Sequence, residues 1–343
     1  DAMAGKLSIT IEELLPKFDA GTSMATRQAS GKTLDALMPK MPLVIGGSAD
    51  LTPSNNTRWK DTKDFQRDSR DGRYLRFGVR EHAMGAIING ISVSGLLRAY
   101  GGTFLVFSDY MRGSVRVAAM SRYPSIFVWT HDSIGVGEDG PTHQPGEHAA
   151  ALRAIPNLLV FRPADANETV QAWKYALEHR DGPVALLLTR QGLPVLDQAK
   201  YASAANLGKG AYVLVGADKP AAAGKPDVLL LASGSEVSVA LGASERLAKE
   251  GIKAQVVSMP CWELFDRQDQ EYKDSVLPPT VRARVGIEAG VELGWSKYIG
   301  DNGIFIGMSS FGSSGPCKTC FEKFGITADA VVAAAKKSIA KSH

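Results

Sequence analysis

The chain has 343 residues, long enough for two domains, and its 39 Lys and Arg against 36 Asp and Glu leave a formal net charge of +3. Acids and bases are interspersed, and no apolar run approaches the roughly 20 residues of a membrane span, so neither nucleic acid nor a membrane is expected as a partner. Three cysteines, a low and odd number, fit a reducing, cytoplasmic setting.

Residues 1–21 read as a lead segment with no basic stretch before an apolar core, so no secretory leader is expected. The chain opens on Asp rather than Met, which reads as a processed fragment or a piece of a longer polypeptide. A helix is expected over 24–40, capped by Thr22 or Ser23, then a strand over 42–47 and a polar stretch to Arg73. A strand over 74–78 and a helix over 80–95 follow, and residues 104–123 read as one further helix. The apolar run 125–131 reads as a strand leading into a long polar loop. After the loop come a helix over 147–155, a strand over 158–163, a helix over 167–180 and a strand over 182–192. Residues 201–227, rich in Ala, Gly, Lys and Pro, read as a linker between a domain over 22–200 and a second over 228–343. The second domain offers strands over 228–234, 252–260 and 281–290, a helix over 235–251 and an amphipathic helix from Ala328. This alternation predicts an α/β protein of two domains, each with a mostly parallel sheet flanked by helices.

The loop THDSIGVGEDGPTHQP (130–145) contains GVGEDG, a literal G-x-G-x-x-G. A dinucleotide loop needs its last glycine to open a helix whose amides face the pyrophosphate. Here Pro141 and Pro145 intervene, and Glu138 and Asp139 would repel a diphosphate. His131, Asp132, Glu138, Asp139 and His143 lack the spacing of a metal site, and Cys317 and Cys320 have only the distant Cys261 to add, so no protein-ligated metal is expected. What remains is a polar loop beyond the carboxyl end of an apolar strand, where open α/β sheets bind ligands. Its imidazoles and carboxylate suit hydroxyl groups, and an imidazolium can also face a phosphate. A structural turn with capping histidines is the alternative.

A second constellation lies upstream. Glu81 opens the 80–95 helix, where an acid complements the helix dipole. Phe104, Phe107 and Tyr110, at i, i+3 and i+6, share one helical face, as core or as the wall of a ligand box. A carboxylate beside aromatic faces can hold a flat heterocycle by stacking and by a hydrogen bond to a ring nitrogen.

The stretches ATR (25–27), GGSADLTPSN (46–55), FGVREHAMGAIINGIS (77–92), YGGTFLVF (100–107), THDSIGVGEDGPTHQP (130–145), RPADANE (162–168) and TRQGLP (189–194) together resemble the transketolase family. The resemblance covers nearly the whole chain, but only the family's pyrimidine-binding and C-terminal domains. It implies a thiamine-diphosphate enzyme that moves a two-carbon ketol unit from a ketose phosphate to an aldose phosphate, in the pentose phosphate pathway or the Calvin cycle, in the cytoplasm or in a plastid. By resemblance, Glu81 bonds the aminopyrimidine N1′ and so favours the imino tautomer that takes the proton from thiazolium C2. Phe104, Phe107 and Tyr110 line the pyrimidine pocket, and Asp50 is a cofactor-site aspartate at the subunit contact. Arg27, Ser54, His131 and Arg190 hold the sugar phosphate, Asp139 reads a hydroxyl, and His143 lies by the donor carbonyl and stabilises charge there.

The family's first domain, which holds the diphosphate through Mg²⁺ or Ca²⁺ with a GDG and a later Asn, has no counterpart in these residues. Half an active site is therefore expected, inactive alone and completed by that domain or subunit, with a second copy as homodimer partner. Another thiamine-diphosphate enzyme half is the alternative within enzymes: 1-deoxyxylulose-5-phosphate synthase or a 2-oxoacid dehydrogenase β subunit. A non-catalytic dimerisation module is the alternative outside them. The loop LASGSEVS (231–238) looks like a phosphate cradle but is expected to be a structural turn.

Overall fold

The computed structural model describes residues 10–215 and 225–342. The first domain runs through β1 (Ser23–Ala25), α1 (Thr26–Leu37), β2 (Val44–Ser48), α2 (Thr52–Asn55), β3 (Tyr74–Arg76), α3 (Glu81–Val93) and β4 (Arg98–Phe104). It continues through α4 (Arg112–Met120), β5 (Ile126–Thr130), α5 (His148–Arg153), β6 (Leu159–Phe161), α6 (Ala166–Glu178), β7 (Val184–Leu188) and β8 (Gly192–Pro194). Six of these strands form one parallel sheet in the order β3-β2-β4-β5-β7-β6. Leu34, Leu37, Trp173 and Leu177 of α1 and α6 cover one face, and Met84, Ile88, Val115 and Ala118 of α3 and α4 cover the other. Burial on both faces is why β5 and β7 read as unbroken apolar runs. The chain leaves β2 towards β3 and leaves β4 towards β5, on the opposite side, so a crevice opens between β2 and β4 at their carboxyl ends.

Four expectations are corrected here. Strand β4, central and buried throughout, is not anticipated at all. Its Gly101 and Gly102 break the apolar pattern because α3 and Thr57 press on them: a Cβ on Gly101 would collide with Ile88, and one on Gly102 would lie 2.6 Å from Thr57 Cγ2. The helix expected over 104–123 is three elements, with Phe104 ending β4, a 3₁₀ helix over Leu105–Met111, and α4 after it. The helix expected from residue 24 starts at Thr26 without a cap from Thr22 or Ser23. Ser23–Ala25 pair antiparallel with Gly192–Pro194 instead, and Gln28 reaches back to accept from the Ala25 amide at 3.2 Å. The strand expected over 182–192 is likewise divided between β7 and β8.

The second domain comprises β9 (Tyr212–Val215), β10 (Val228–Ala232), α7 (Glu236–Lys249), β11 (Ala254–Ser258), α8 (Trp262–Asp266), α9 (Gln270–Val276), β12 (Arg284–Ile287), α10 (Ser296–Ile299), β13 (Ile304–Ile306), α11 (Cys317–Lys323) and α12 (Ala328–Ser342). Its sheet has the order β13-β12-β10-β11-β9 and is parallel except for β9, which pairs antiparallel with β11. β9 lies in the stretch read as linker, of which residues 216–224 fall outside the described residues. No helix among the described residues is long and apolar enough to cross a membrane.

A buried ionic cluster joins the domains. Arg162, just past β6, donates from Nε to Asp132 Oδ2 at 2.9 Å and from Nη1 to Glu236, and lies 3.6 Å from Glu288. Arg153 forks onto the two Glu288 oxygens at 2.7 and 2.8 Å. Nearby, Glu168 accepts from Tyr212 at 2.8 Å and from Ser258 at 2.6 Å. The 231–238 loop is the seat of Arg162 and not a phosphate cradle. Gly234, at φ 58°, donates its amide to the Arg162 carbonyl, and a Cβ there would lie 2.7 Å from the guanidinium carbon.

Candidate active site

The site is built at the carboxyl edge of the first sheet. β4 ends in Phe104, β5 runs into His131, and β7 runs through Thr189 into Arg190. Thr26, the first residue of α1, and Thr189 bind each other reciprocally: the Thr26 amide donates to Thr189 Oγ1 at 3.0 Å, and the Thr189 amide to Thr26 Oγ1 at 2.7 Å. This pair sets Arg27 beside Arg190. Arg27 also donates to the Ser54 carbonyl at 2.8 Å, while its buried Nε has no partner among the described residues. Burial and the charge of Arg190 lower the Arg27 pKa.

His131 is buried with φ 62°, and its ring stacks on Phe104 with centroids 3.6 Å apart. Asn55 Nδ2 donates to Thr130 Oγ1 at 2.7 Å, and that hydroxyl lies 2.8 Å from His131 Nδ1, which fixes the ring's orientation. Burial first, then the charges of Arg27, Arg190 and His143, push the His131 pKa down to about 3. The imidazolium considered from sequence is therefore corrected for this residue. His131 is neutral at pH 7 and offers a neutral N–H.

The aromatic row forms, but through 3₁₀ geometry. With three residues per turn, i, i+3 and i+6 eclipse. Phe104 and Phe107 stack at 5.7 Å, and Phe107 and Tyr110 at 5.9 Å. His143 meets Phe104 and Phe107 edge-on at 6.0 and 5.5 Å, with its Nδ1 2.9 Å from Thr142 Oγ1. Gly137 and Gly140, at φ 88° and 75°, fold the loop between the two histidines. The next helix starts only at His148, so no helix N-terminus abuts the glycines of GVGEDG. Asp139 is exposed in this turn.

The structure thus brings together Arg27, Ser54, Phe104, Phe107, Tyr110, His131, His143 and Arg190. Asp50, Glu81 and Asp139 make no hydrogen bond or ion pair with that group among the described residues. Glu81 begins α3, which packs on the 3₁₀ segment through Gly85 and Met111. Its side chain is buried, and its carboxylate takes no hydrogen bond from the described residues. Asp50 follows β2 in a left-handed conformation, φ 62°, exposed. A carboxyl at the start of α3 and stacked ring faces suit the pyrimidine end of a flat cofactor.

Sequence reasoning missed the supports of these residues: the Thr26–Thr189 pair, the Asn55–Thr130 link, and Gln191, whose buried amide lies against Gly135 with no partner among the described residues. Thr26 and Thr189 stand 163 positions apart, and no local spacing couples them. It also passed over Asp109, Glu147 and His148, whose potential metal-ligating atoms lie within 4.8 Å of one another. His148 Nε2 is 3.2 Å from Asp109 Oδ2 there.

The transketolase pyrimidine-binding domain family matches residues 22–195, and the transketolase-like C-terminal domain family matches residues 210–327. A transketolase of Halalkalibacterium halodurans is 51% identical over 335 residues, covering 98% of this chain and 50% of the relative. A Pichia stipitis transketolase solved with sedoheptulose 7-phosphate superposes with a TM-score of 0.92 at 46% identity, over 99% of this chain and 49% of the other. A split-gene transketolase, described as an inactive β4 tetramer, matches with a TM-score of 0.74 at 27% identity, over 93% of this chain and 100% of its own. The chain spans about half the length of the curated relatives it matches. Fold and family matches together define the pyrimidine-binding and C-terminal domains of a thiamine-diphosphate enzyme. Within that class, the chain belongs to the transketolase family.

Proposed function

We propose that this chain supplies the pyrimidine-binding and sugar-phosphate-binding half of a transketolase that reversibly transfers a two-carbon ketol unit from a ketose phosphate to an aldose phosphate. The observation that carries this reading is the convergence of Arg27, Arg190, His131 and His143 on the row Phe104–Phe107–Tyr110. When bound, thiamine diphosphate supplies the thiazolium carbon that takes up the ketol unit. Glu81 would hold the pyrimidine by a hydrogen bond at N1′, and Phe107 and Tyr110 would offer ring faces for stacking. Arg27 and Arg190 fork onto the substrate phosphate with Ser54, and neutral His131 donates from Nε2. Asp139 accepts from a substrate hydroxyl, and His143 donates to the oxygen that gains charge at the donor carbonyl.

Asp50 and the exposed apolar Ile87, Val93, Val117 and Met120 of α3 and α4 face a second copy in a homodimer. The diphosphate and its Mg²⁺ or Ca²⁺ belong to a diphosphate-binding domain or subunit, without which residues 1–343 are expected to be inactive. The split-gene neighbour, inactive by its description, supports this.

The test adds thiamine diphosphate and Mg²⁺ to the chain alone and to the chain with a diphosphate-binding half. Ketol transfer is expected only in the combination, and Glu81→Gln is expected to lower it by about 10²–10⁴-fold. Turnover by the chain alone, or near wild-type rates for Glu81→Gln, overturns the reading. Pyruvate decarboxylation in place of ketol transfer would favour a 2-oxoacid dehydrogenase β subunit.

A further inference from the structure

We propose that the second domain is a working part of the substrate site: it fixes the loop over residues 131–146, with Arg162 as a positioning residue for His131. The identity of the loop's ligand rests on the function proposed above, but the loop's dependence on the second domain does not.

The first domain supports this loop mainly at its histidines and at Asp132, through Phe104, Phe107 and Arg162. His131 is tied at its start through Thr130, and α5 begins at its end. Between them lies a polar, glycine-containing segment whose ordering costs conformational entropy. The second domain holds it directly at four points, and indirectly at a fifth through Arg162 of the first domain. At the start, Asp132 accepts from Arg162 Nε at 2.9 Å, and Arg162 is seated in turn by Glu236 and by the Ser233 carbonyl at 2.9 Å. Ile134 is buried in the second domain's own core with Ala232, Met308 and Cys320. In the middle, Ser314 Oγ donates to the Glu138 carbonyl at 2.6 Å, and Gln144 Nε2 donates to the carbonyls of Gly137 at 2.8 Å and Ser313 at 3.0 Å. At the end, the Val291 amide donates to the Gly146 carbonyl at 3.1 Å. His131, Asp139 and His143 all ride on this loop. A shift of about 1 Å in groups that orient a substrate is enough to cost about 100-fold in rate.

Two variants separate positioning from folding. Ser314→Ala with Gly312→Ala loosens the second domain's side without touching the loop sequence. Ser314 is exposed, and a Cβ on Gly312 would collide with the Gln144 amide. Asp132→Asn weakens the charge link to Arg162 while keeping its shape. The first readout is amide hydrogen exchange in the chain as it stands. Amides of residues 131–146 are expected to exchange about tenfold faster in both variants, with β5 and β7 unchanged. Unchanged loop exchange overturns the proposal. The second readout uses the enzyme assembled with its diphosphate-binding half. KM for the sugar phosphate is expected to rise about tenfold and kcat to fall with it, since His143 rides on the same loop, while cofactor affinity holds within about twofold. Activity lost only in proportion to the folded fraction, with KM unchanged, would assign the contacts a structural role and also overturn it. If wild type transfers no ketol unit, the functional reading fails, and the exchange measurement still decides the question of the loop.

Discussion

His131 shows how little freedom a single side chain has once its surroundings are specified. Its backbone is left-handed, its ring is pressed on Phe104, and Thr130, itself held by Asn55, ties down its Nδ1. The electrostatics have a measurable sign. The folded pKa of about 3 lies below the roughly 6.5 of an unfolded histidine, so between those values the unfolded chain binds the extra proton. Stability contributed by neutral His131 is present above about pH 6.5 and is lost as pH falls towards about 3. His131→Gln is expected to lose less stability on acidification than wild type. Urea midpoints at pH 7 and pH 4.5 measure this, and a wild-type-to-variant gap that does not change with pH would contradict it. Residues of this kind were legible only as letters in a motif. The ring's fixed orientation needs Asn55 and Thr130, 75 positions apart, to meet.

Among the elements, β4 marks where sequence periodicity stops being informative. β5, β7 and β10 announce themselves because helices or loops bury them on both sides. β4 is equally buried but begins at a charged residue and carries two glycines. Arg98 is buried because its guanidinium donates to the carbonyls of Pro124, Ala176 and His179, a set that exists only after folding. Burial lowers its pKa to about 9. The glycines answer to α3, whose approach is likewise a tertiary fact. Gly101→Val would force Ile88 and Met84 aside and is expected to cost about 1–3 kcal/mol, read as a lower urea midpoint. Wild-type stability in that variant would show that α3 yields more easily than the packing implies. The aromatic row was found with the wrong helix attached to it, since a three-residue period in so short a stretch does not separate a 3₁₀ turn from an α-helix.

At the scale of the whole molecule, the two sheets are joined by charge buried between them. Burial alone would raise the Glu288 pKa, but Arg153 and Arg162 hold it down at about 2. The stability it contributes is present above the roughly 4.3 of an ordinary glutamate and is lost as pH falls through about 2. Glu288→Ala strips Arg153 of its bidentate partner and is expected to cost roughly 3–5 kcal/mol at pH 7. Denaturation in urea measures this, and a cost under about 1 kcal/mol would mean the arginines find other partners. A different kind of joining lies at the start of the first domain. Because β1 pairs with β8, the polypeptide arrives at and departs from the six-stranded sheet at a single gate. A module with such a gate can be carried inside a longer polypeptide or stand as its own subunit without rethreading a strand. Arg27 and Arg190 are the gateposts, held together by Thr26 and Thr189. An anion bridging them would latch the module shut and would be felt as resistance to unravelling from either end.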